Sequence, residues 1–420
     1  MAKKISTDPY KGVRDFYPED QFLQRFLFET MSRVCESFGY EEYSASLLEP
    51  SELYRGKSSE EIVNEQTYTF TDRGDREVTL RPEMTPTVAR MIAARERTIA
   101  FPARWYSIPN IFRYERPQRG RLREHWQLNA DIFGVPGIEA DTEIIALAHR
   151  LMIEFGAKEN DFEIRVNDRN ILEALYGEVK LPASMRQQVT RVLDKRAKLS
   201  ERAFASELAA ASGDVSFSKA IIEGLSRIAS NSQIEELFSH LKTYGVGNAV
   251  VDTSITRGFD YYTGIVFEVF DTSTENARSL FGGGRYDNLL QNFGGDSVAA
   301  VGFGMGDVTM RDFLDTHDLT PAYAPATELM LCPLSPEFFK RTIELAQALR
   351  SSDVTVAINY SLRRAGEQIA QADKMKIPFV ICIGEKESES GKYTIKHLES
   401  GSETTLSAER IADHMFSSAG

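Results

Sequence analysis

Residues 112–134, FRYERPQRGRLREHWQLNADIFG, decide how this chain reads. Ile111, Phe112 and Tyr114 on one side and Trp126 and Leu128 on the other flank a turn holding Pro117 and Gly120, which predicts a hairpin projecting from a sheet. Four arginines, Arg116, Arg119, Arg121 and Arg123, crowd the turn, and Arg113 stands in the strand before it. Guanidinium forks pair bidentately with phosphate, so an arginine fixed in a strand can grip a nucleotide while loop arginines hold a longer polyanion. Four arginines alone equally describe a solvated basic loop. The fixed F-R-Y-E and W-Q-L-N-A-D flanks favour the anion site.

The rest of the chain sets the frame for that hairpin. Its 420 residues, 42% hydrophobic and 26% charged, hold core material for two or three domains. No run of eighteen apolar residues occurs and the start, MAKKISTDPYKGVRD, lacks the apolar stretch of a signal peptide, so a cytoplasmic protein without a membrane segment is expected. Cys35, Cys332 and Cys382 are widely spaced and form no CxxC pair, which suggests core residues rather than a disulfide framework or a metal site fixed by a protein motif. A net charge of −13 argues against nucleic acid as a whole-chain partner, yet local basic tracks suffice for brief binding. The 116–123 loop is one such track; Arg363, Arg364, Lys374 and Lys376 offer another, each also readable as an ordinary charged face.

Periodicity places these features on elements. Residues 19–38 carry Phe22, Leu23, Phe26, Leu27, Met31, Val34 and Phe38 at helical spacing, ended by Gly39. Residues 66–83 alternate like a hairpin around Arg73-Gly74-Asp75 and end on Glu83 and Thr85, an amino-group site or, for Glu83 beside Arg81, a structural ion pair. Residues 137–156 read as a helix and FEIRVND as a strand. From about 176 to 245 the chain is rich in Ala, Leu, Ser, Arg and Lys without strand alternation, which predicts a helical insertion. RGFDYYTGIVFEVF, 257–270, returns to strand character. After the link at 317–327, helix and strand alternate to the end, as in an open α/β domain.

The 112–134 stretch resembles motif 2 of the class II aminoacyl-tRNA synthetases, in the histidyl-tRNA synthetase form F-R-x-E-R-P-Q-x-G-R-x-R-E-F-x-Q. TLRPEMTPTVAR at 79–90 and RGFDYYTGIVFEV at 257–269 are similar to two further blocks of that family, in family order, and the C-terminal ninety residues resemble its anticodon-binding domain. The resemblance implies an α+β catalytic domain with an antiparallel sheet and helices over 1–325, interrupted by the helical insertion at about 176–245, and an anticodon-binding α/β domain over 326–420. It implies ATP-dependent activation of L-histidine and transfer to the 3′ end of tRNA(His) by a homodimer, with ATP as substrate and Mg2+ accompanying it. A rival expectation is a non-catalytic, histidine-binding regulatory paralogue of the ATP phosphoribosyltransferase type. The arginine loop and the C-terminal domain favour the enzyme.

Carried over by position, the resemblance implies catalytic roles for Arg113 and Arg257, which would face the α-phosphate from opposite sides. It implies histidine binding by Glu83, Met84, Thr85, Gln127, Asp131, Tyr261 and Tyr262, and ATP binding by Arg113, Glu115, Arg121, Arg257, Gly304 and Gly306. Arg116, Gln118, Arg119 and Arg123 would meet the tRNA acceptor end, and residues 282–286 and 300–310 would form the floor of the adenosine site. Three positions depart from the family pattern. Ser46 replaces the motif 1 proline, Asp131 stands where bacterial members often carry Glu, and Thr309 occupies the place of the motif 3 arginine that holds ATP's terminal phosphate. Arg311, two residues later on a helix, turns roughly 200° to another face and is a poor substitute.

Overall fold

The computed structural model describes residues 5–55, 66–193, 196, 199–227, 231–255, 261–276, 278–294 and 297–418. They divide into two compact units, Met1–Asp15 with Gln24–Thr320 and Phe16–Leu23 with Pro321–Gly420. The division after Thr320 falls inside the link read at 317–327.

The first unit is built on strands β1 (Glu41–Glu42), β2 (Leu48–Pro50), β3 (Tyr68–Thr71), β4 (Glu77–Leu80), β5 (Ala103–Ser107), β6 (Asn110–Phe112), β7 (Glu124–Phe133), β8 (Phe162–Asp168), β9 (Ala249–Val251), β10 (Ile265–Asp271), β11 (Ser279–Arg285) and β12 (Ala300–Gly306). The main sheet runs β1-β5-β7-β12-β11-β10-β8-β9, with β6 also paired to β7. Its interior pairs are antiparallel and only the outer ones, β1 with β5 and β8 with β9, are parallel. A smaller sheet, β2-β4-β3, carries the hairpin read at Arg73-Gly74-Asp75. Strand β7 is half-open over its first four residues and buried over the last six, so the run Leu128–Phe133 is covered on both faces. Two polar residues in that run, Asn129 and Asp131, are nonetheless buried, which is costly unless they have partners or a purpose.

Arg285, at the end of β11, clasps the sheet to the helix Ile138–Glu154. Its guanidinium donates to Asp141, to Asp287 at 3.2 Å and to the carbonyls of Val135 at 3.1 Å and Gly137 at 2.8 Å. The Arg285 and Asp141 side chains keep 9% and 1% of their surface, so the pair depends on these added hydrogen bonds to offset desolvation.

The insertion is helical and starts earlier than its composition suggested. Helices cover Arg169–Glu178, Ala183–Leu193, Glu201–Ser212, Val215–Arg227 and Ser232–Thr243, and several share a core with Leu175, Val189, Phe204 and Ile221. Asp168 caps the first of them by accepting from the Asn170 amide at 2.9 Å, and accepts from Asn231 Nδ2, the cap of the last, at 2.7 Å. The next residue, Arg169, donates from its side chain to the Tyr262 carbonyl and from its backbone to that of Gly264, at 2.8 and 3.1 Å. The histidine-block strand is shorter than read: β10 begins at Ile265, Tyr261 and Tyr262 precede it, and Arg257 lies outside the described residues.

The second unit is a mixed sheet of β13 (Leu329–Pro333), β14 (Val356–Ile358), β15 (Phe379–Ile383), β16 (Lys392–His397) and β17 (Glu403–Ser407), ordered β14-β13-β15-β16-β17. Leu329 and Leu331 face a core shared with Leu345, Leu349, Ile411 and Met415 of the helices Phe339–Arg350 and Ala408–Ser418. Met330 and Cys332 face the opposite side with Ala372 of the helix Ala365–Lys374. That helix starts late because Leu362 adopts a φ of +48° and Arg364 is extended, which leaves Arg363 and Arg364 on an exposed loop. Cys332 and Cys382, far apart in sequence, are register partners on adjacent strands, both as free thiols.

Replacing Arg285 by Met leaves Asp141 buried without its partner and is expected to cost about 3–5 kcal/mol. A fall of that size in the unfolding free energy extrapolated from denaturant titration checks it.

Candidate active site

The site grows from the pairing of β7 with β12. Asp131 lies opposite Gly302, Asn129 opposite Gly304 and Gln127 opposite Gly306. Alternation points Gln127, Asn129 and Asp131 to one face, and β12 presents no side chain beside them. A Cβ at Gly302 would lie 1.9 Å from Asp131 Oδ1, and one at Gly304 2.9 Å from Gln127 Cδ. These glycines therefore serve close approach, and the trough they leave is the floor of a cavity. It is lined by Glu83, Thr85, Arg113, Gln127, Asn129, Asp131, Tyr261, Tyr262, Gly282, Tyr286, Gly302, Phe303 and Gly304.

The walls come from three other segments. Glu83 and Thr85 stand at the start of the helix Thr85–Arg95, where the Tyr261 hydroxyl donates to both, at 3.3 and 3.4 Å. Arg81 does not tie up Glu83 as the structural reading supposed. Its guanidinium goes to Asn110 and to the carbonyls of Ala45 and Ser46. Tyr261 packs on Tyr262 and Tyr286 with ring centroids 4.9 and 5.8 Å apart. Tyr286 donates a short hydrogen bond to Asp131. Arg113 is aimed by its Nε, which donates to the Pro82 carbonyl at 2.8 Å.

Burial sets the charge state at both ends of the trough. It pushes the Asp131 carboxyl up to about 7 although the Tyr286 hydroxyl pulls the other way, and it holds the Tyr261 and Tyr286 phenols well above their usual range. Further along the same face of β7, His125 is driven down to about 3 by burial first and then by Arg113 and Arg14. One end thus carries a carboxyl that ionises near neutrality, the other a neutral imidazole between two cations.

Of the residues the resemblance assigned, Glu83, Thr85, Arg113, Gln127, Asp131, Tyr261, Tyr262 and Gly304 come together in the cavity. Met84 is fully buried at the head of its helix and is not among the lining residues. Gly306 lies beyond the cavity, where an added Cβ would be 4.0 Å from the His125 ring. Glu115 and Arg121 pair with each other at 3.4 Å in the loop. Arg116, Gln118 and Arg119 are exposed on the tight turn made by the backbone bonds between Gln118 and Arg121, with Gly120 at φ +75°. Arg119 reaches the Glu275 carbonyl and Arg278 donates to its backbone, so the loop is held down. Arg123 is placed differently: it stacks 3.9 Å from the Tyr114 ring centroid, bonds to the Tyr10 hydroxyl and keeps 9% of its surface.

Sequence reasoning missed Asn129; Gly282, Tyr286, Gly302 and Phe303, all read as part of an adenosine floor, line the same cavity as Asp131. The two-residue step Gln127, Asn129, Asp131 was the available signal. At motif 3, the Thr309 hydroxyl donates to the carbonyls of Leu280 and Gly306, and Arg311 turns away to Gln24 at 2.6 Å. Ser46 accepts the Leu48 amide through its hydroxyl.

Comparison with known proteins gives one answer. The family described as histidyl-tRNA synthetase matches residues 12–307 and the anticodon binding domain residues 328–415. The chain is 41% identical over 420 residues to a histidine–tRNA ligase of Leptospira biflexa, covering 96% of each, and 38% identical to one of Thermoplasma volcanium, covering 93% and 94%. Its fold is that of a histidyl-tRNA synthetase from Nostoc sp. PCC 7120, with TM-score 0.84, 22% identity and 99% and 100% coverage. An ATP phosphoribosyltransferase regulatory subunit/histidyl-tRNA synthetase from Bacillus halodurans also matches, with TM-score 0.67, 22% identity and 88% and 97% coverage. A mainly antiparallel sheet bearing the cavity, followed by an α/β unit, is thus an aminoacyl-tRNA synthetase architecture. Within that class, the chain belongs to the histidyl-tRNA synthetase family.

Two outcomes are expected. Gly302→Ala drives a methyl into Asp131 and should remove measurable histidine binding in calorimetry while the far-ultraviolet dichroism stays unchanged. Asp131 has a folded pKa above its unfolded value, so the folded state holds the proton more tightly and stability falls as pH rises from about 4 to about 7. The melting temperature of Asp131→Asn should accordingly gain on that of the unaltered protein across this window, and a constant gap would contradict the shift.

Proposed function

We propose that this chain condenses ATP and L-histidine to histidyl-adenylate with loss of pyrophosphate, then passes the histidyl group to the terminal ribose of tRNA(His). One observation carries the reading: in a member of this family, a buried Asp131 held by Tyr286 faces a glycine floor beside Gln127 and across from Glu83 and Thr85. An ionised Asp131 accepts from an imidazole N–H, and an analogue without that donor leaves the carboxylate unpaired in a buried site. Glu83, Thr85 and the Tyr261 hydroxyl offer acceptors to the α-amino group.

Arg113 then lies where the amino-acid carboxylate meets the α-phosphate. Charge grows there as the carboxylate oxygen bonds to phosphorus and the bond to pyrophosphate breaks, and a guanidinium already aimed by Pro82 stabilises it without reorganising. Arg257 is assigned the opposite side by position in the sequence. No side-chain nucleophile is needed. Mg2+ arrives with the polyphosphate. The proposal includes a cytoplasmic homodimer, and a C-terminal unit that reads the anticodon through the exposed Arg363–Arg364 loop.

The test is ATP–pyrophosphate exchange across the amino acids: histidine alone should support it, and comparable exchange with another amino acid or none with histidine would overturn the reading. Arg113→Ala should lower the exchange rate about 10²–10³-fold with a smaller change in histidine affinity. Replacing Gln118 and Arg119, or reversing the charge of Arg363 and Arg364, should cut tRNA charging while leaving exchange within about twofold; tRNA affinity of the unaltered protein should fall as salt rises, and less steeply in the variants, which have fewer phosphate contacts to lose.

A further inference from the structure

The site is built around a substrate with a polyphosphate tail, yet the helix Asp307–Thr316, which follows β12 at that end, brings no cation to it. Thr309 spends its hydroxyl on two backbone carbonyls, and Arg311 leaves for Gln24. A buried acid, Asp307, stands at the start of that helix instead. It accepts the Trp126 amide of β7 at 2.9 Å through one oxygen and Arg14 at 2.7 Å through the other. Arg14 comes from the segment before the first helix, 293 positions away in the chain, so the ion pair imports a cation to this end of the β7–β12 trough.

Three observations fix where that cation stands. Trp126, whose amide shares Asp307 with Arg14, is the neighbour of His125, and His125 shares the trough face with Gln127, Asn129 and Asp131. Gly306 lies beside the His125 ring and leaves the face open. After burial, Arg113 and Arg14 both hold the proton affinity of that ring down, in keeping with a guanidinium at this end of the trough. Asp307 engages one terminal nitrogen of Arg14, and the side chain retains 22% of its surface. A guanidinium held by a carboxylate has its plane fixed, which suits it to a charged ligand that approaches its exposed part.

We propose that Arg14, anchored by Asp307, is a binding residue for the β- and γ-phosphates of ATP and for the pyrophosphate leaving group, taking up the charge that no residue of the helix Asp307–Thr316 meets. The inference rests on the ATP-dependent reading above. Arg113 serves the reacting phosphorus, and Arg14 serves the tail on the far side of His125. Asp307 acts through Arg14 as a positioning residue and touches no substrate.

The experiment compares Mg2+–ATP, Mg2+–pyrophosphate and AMP by calorimetry on the full-length protein. Arg14→Ala should weaken ATP and pyrophosphate about tenfold or more, the effect of losing one charge-assisted contact, and leave AMP within about twofold. Arg14→Ala combined with Asp307→Asn, which leaves no unpaired buried charge, should show the same pattern if the single variant folds poorly. Arg14→Lys should restore part of the difference. In exchange assays the KM for ATP should rise while that for histidine holds. Equal losses for ATP and AMP, or no loss for either, would overturn the proposal and leave Arg14 a purely structural tether. A lack of histidine-dependent exchange in the unaltered protein would instead remove the parent reading, while the ratio of ATP to AMP affinity would still report on Arg14.

Discussion

Everything at the site follows from the absence of side chains on one strand. A sheet with two long residues facing each other across β7 and β12 would be filled, but Gly302 and Gly304 let Asp131 and Gln127 lie down against bare backbone. Bare backbone in a sheet interior is costly in itself, since glycine loses the most conformational freedom on folding. The cost is borne where a ligand is to lie. Arg285, immediately before the Asp131-bonded Tyr286, pins the end of the neighbouring β11 to Asp141 and to two helix-entry carbonyls, so the floor does not collapse inward.

Electrostatics divides the trough along its length. Near Asp131 the protein supplies a group that gives up its proton easily once a donor is offered, because nothing but burial holds the proton there. Near His125 two arginines and burial suppress a charge that would only repel Arg113 and Arg14. The trough therefore offers opposite electrostatic environments a few strand residues apart, on one surface.

Much of this was legible in the sequence, for identifiable reasons. The F-R-Y-E and W-Q-L-N-A-D flanks gave the hairpin because alternation in β6 and β7 is uninterrupted, and helix Pro18–Ser37 showed a clear apolar stripe. Strand β17 and the helix Ala408–Ser418 went unread because GSETTLSAERIADHMFSS is polar and its few apolar residues, Leu406, Ile411 and Met415, acquire meaning only against the core of the second unit. The bond from Tyr286 to Asp131 went unread because it depends on which strands lie beside β11, a tertiary fact. Arg123 looked like its loop neighbours and proved to be stacked on Tyr114, since composition does not say which of several arginines faces inward. The Arg14–Asp307 pair joins opposite ends of the catalytic segment and has no local trace at all.

The double use of Asp168 carries a thermodynamic consequence. One carboxylate roots both the first and the last helix of the insertion, and its chain neighbour Arg169 holds the carbonyl of Tyr262 in the wall of the cavity. The insertion and the cavity wall therefore meet at this pair of neighbouring residues. Work done at one end is not confined there: a macromolecule that shifts the helices must strain or relieve the seat of Tyr262. Reciprocity then requires an occupied cavity to alter the stiffness of the insertion by the same free energy.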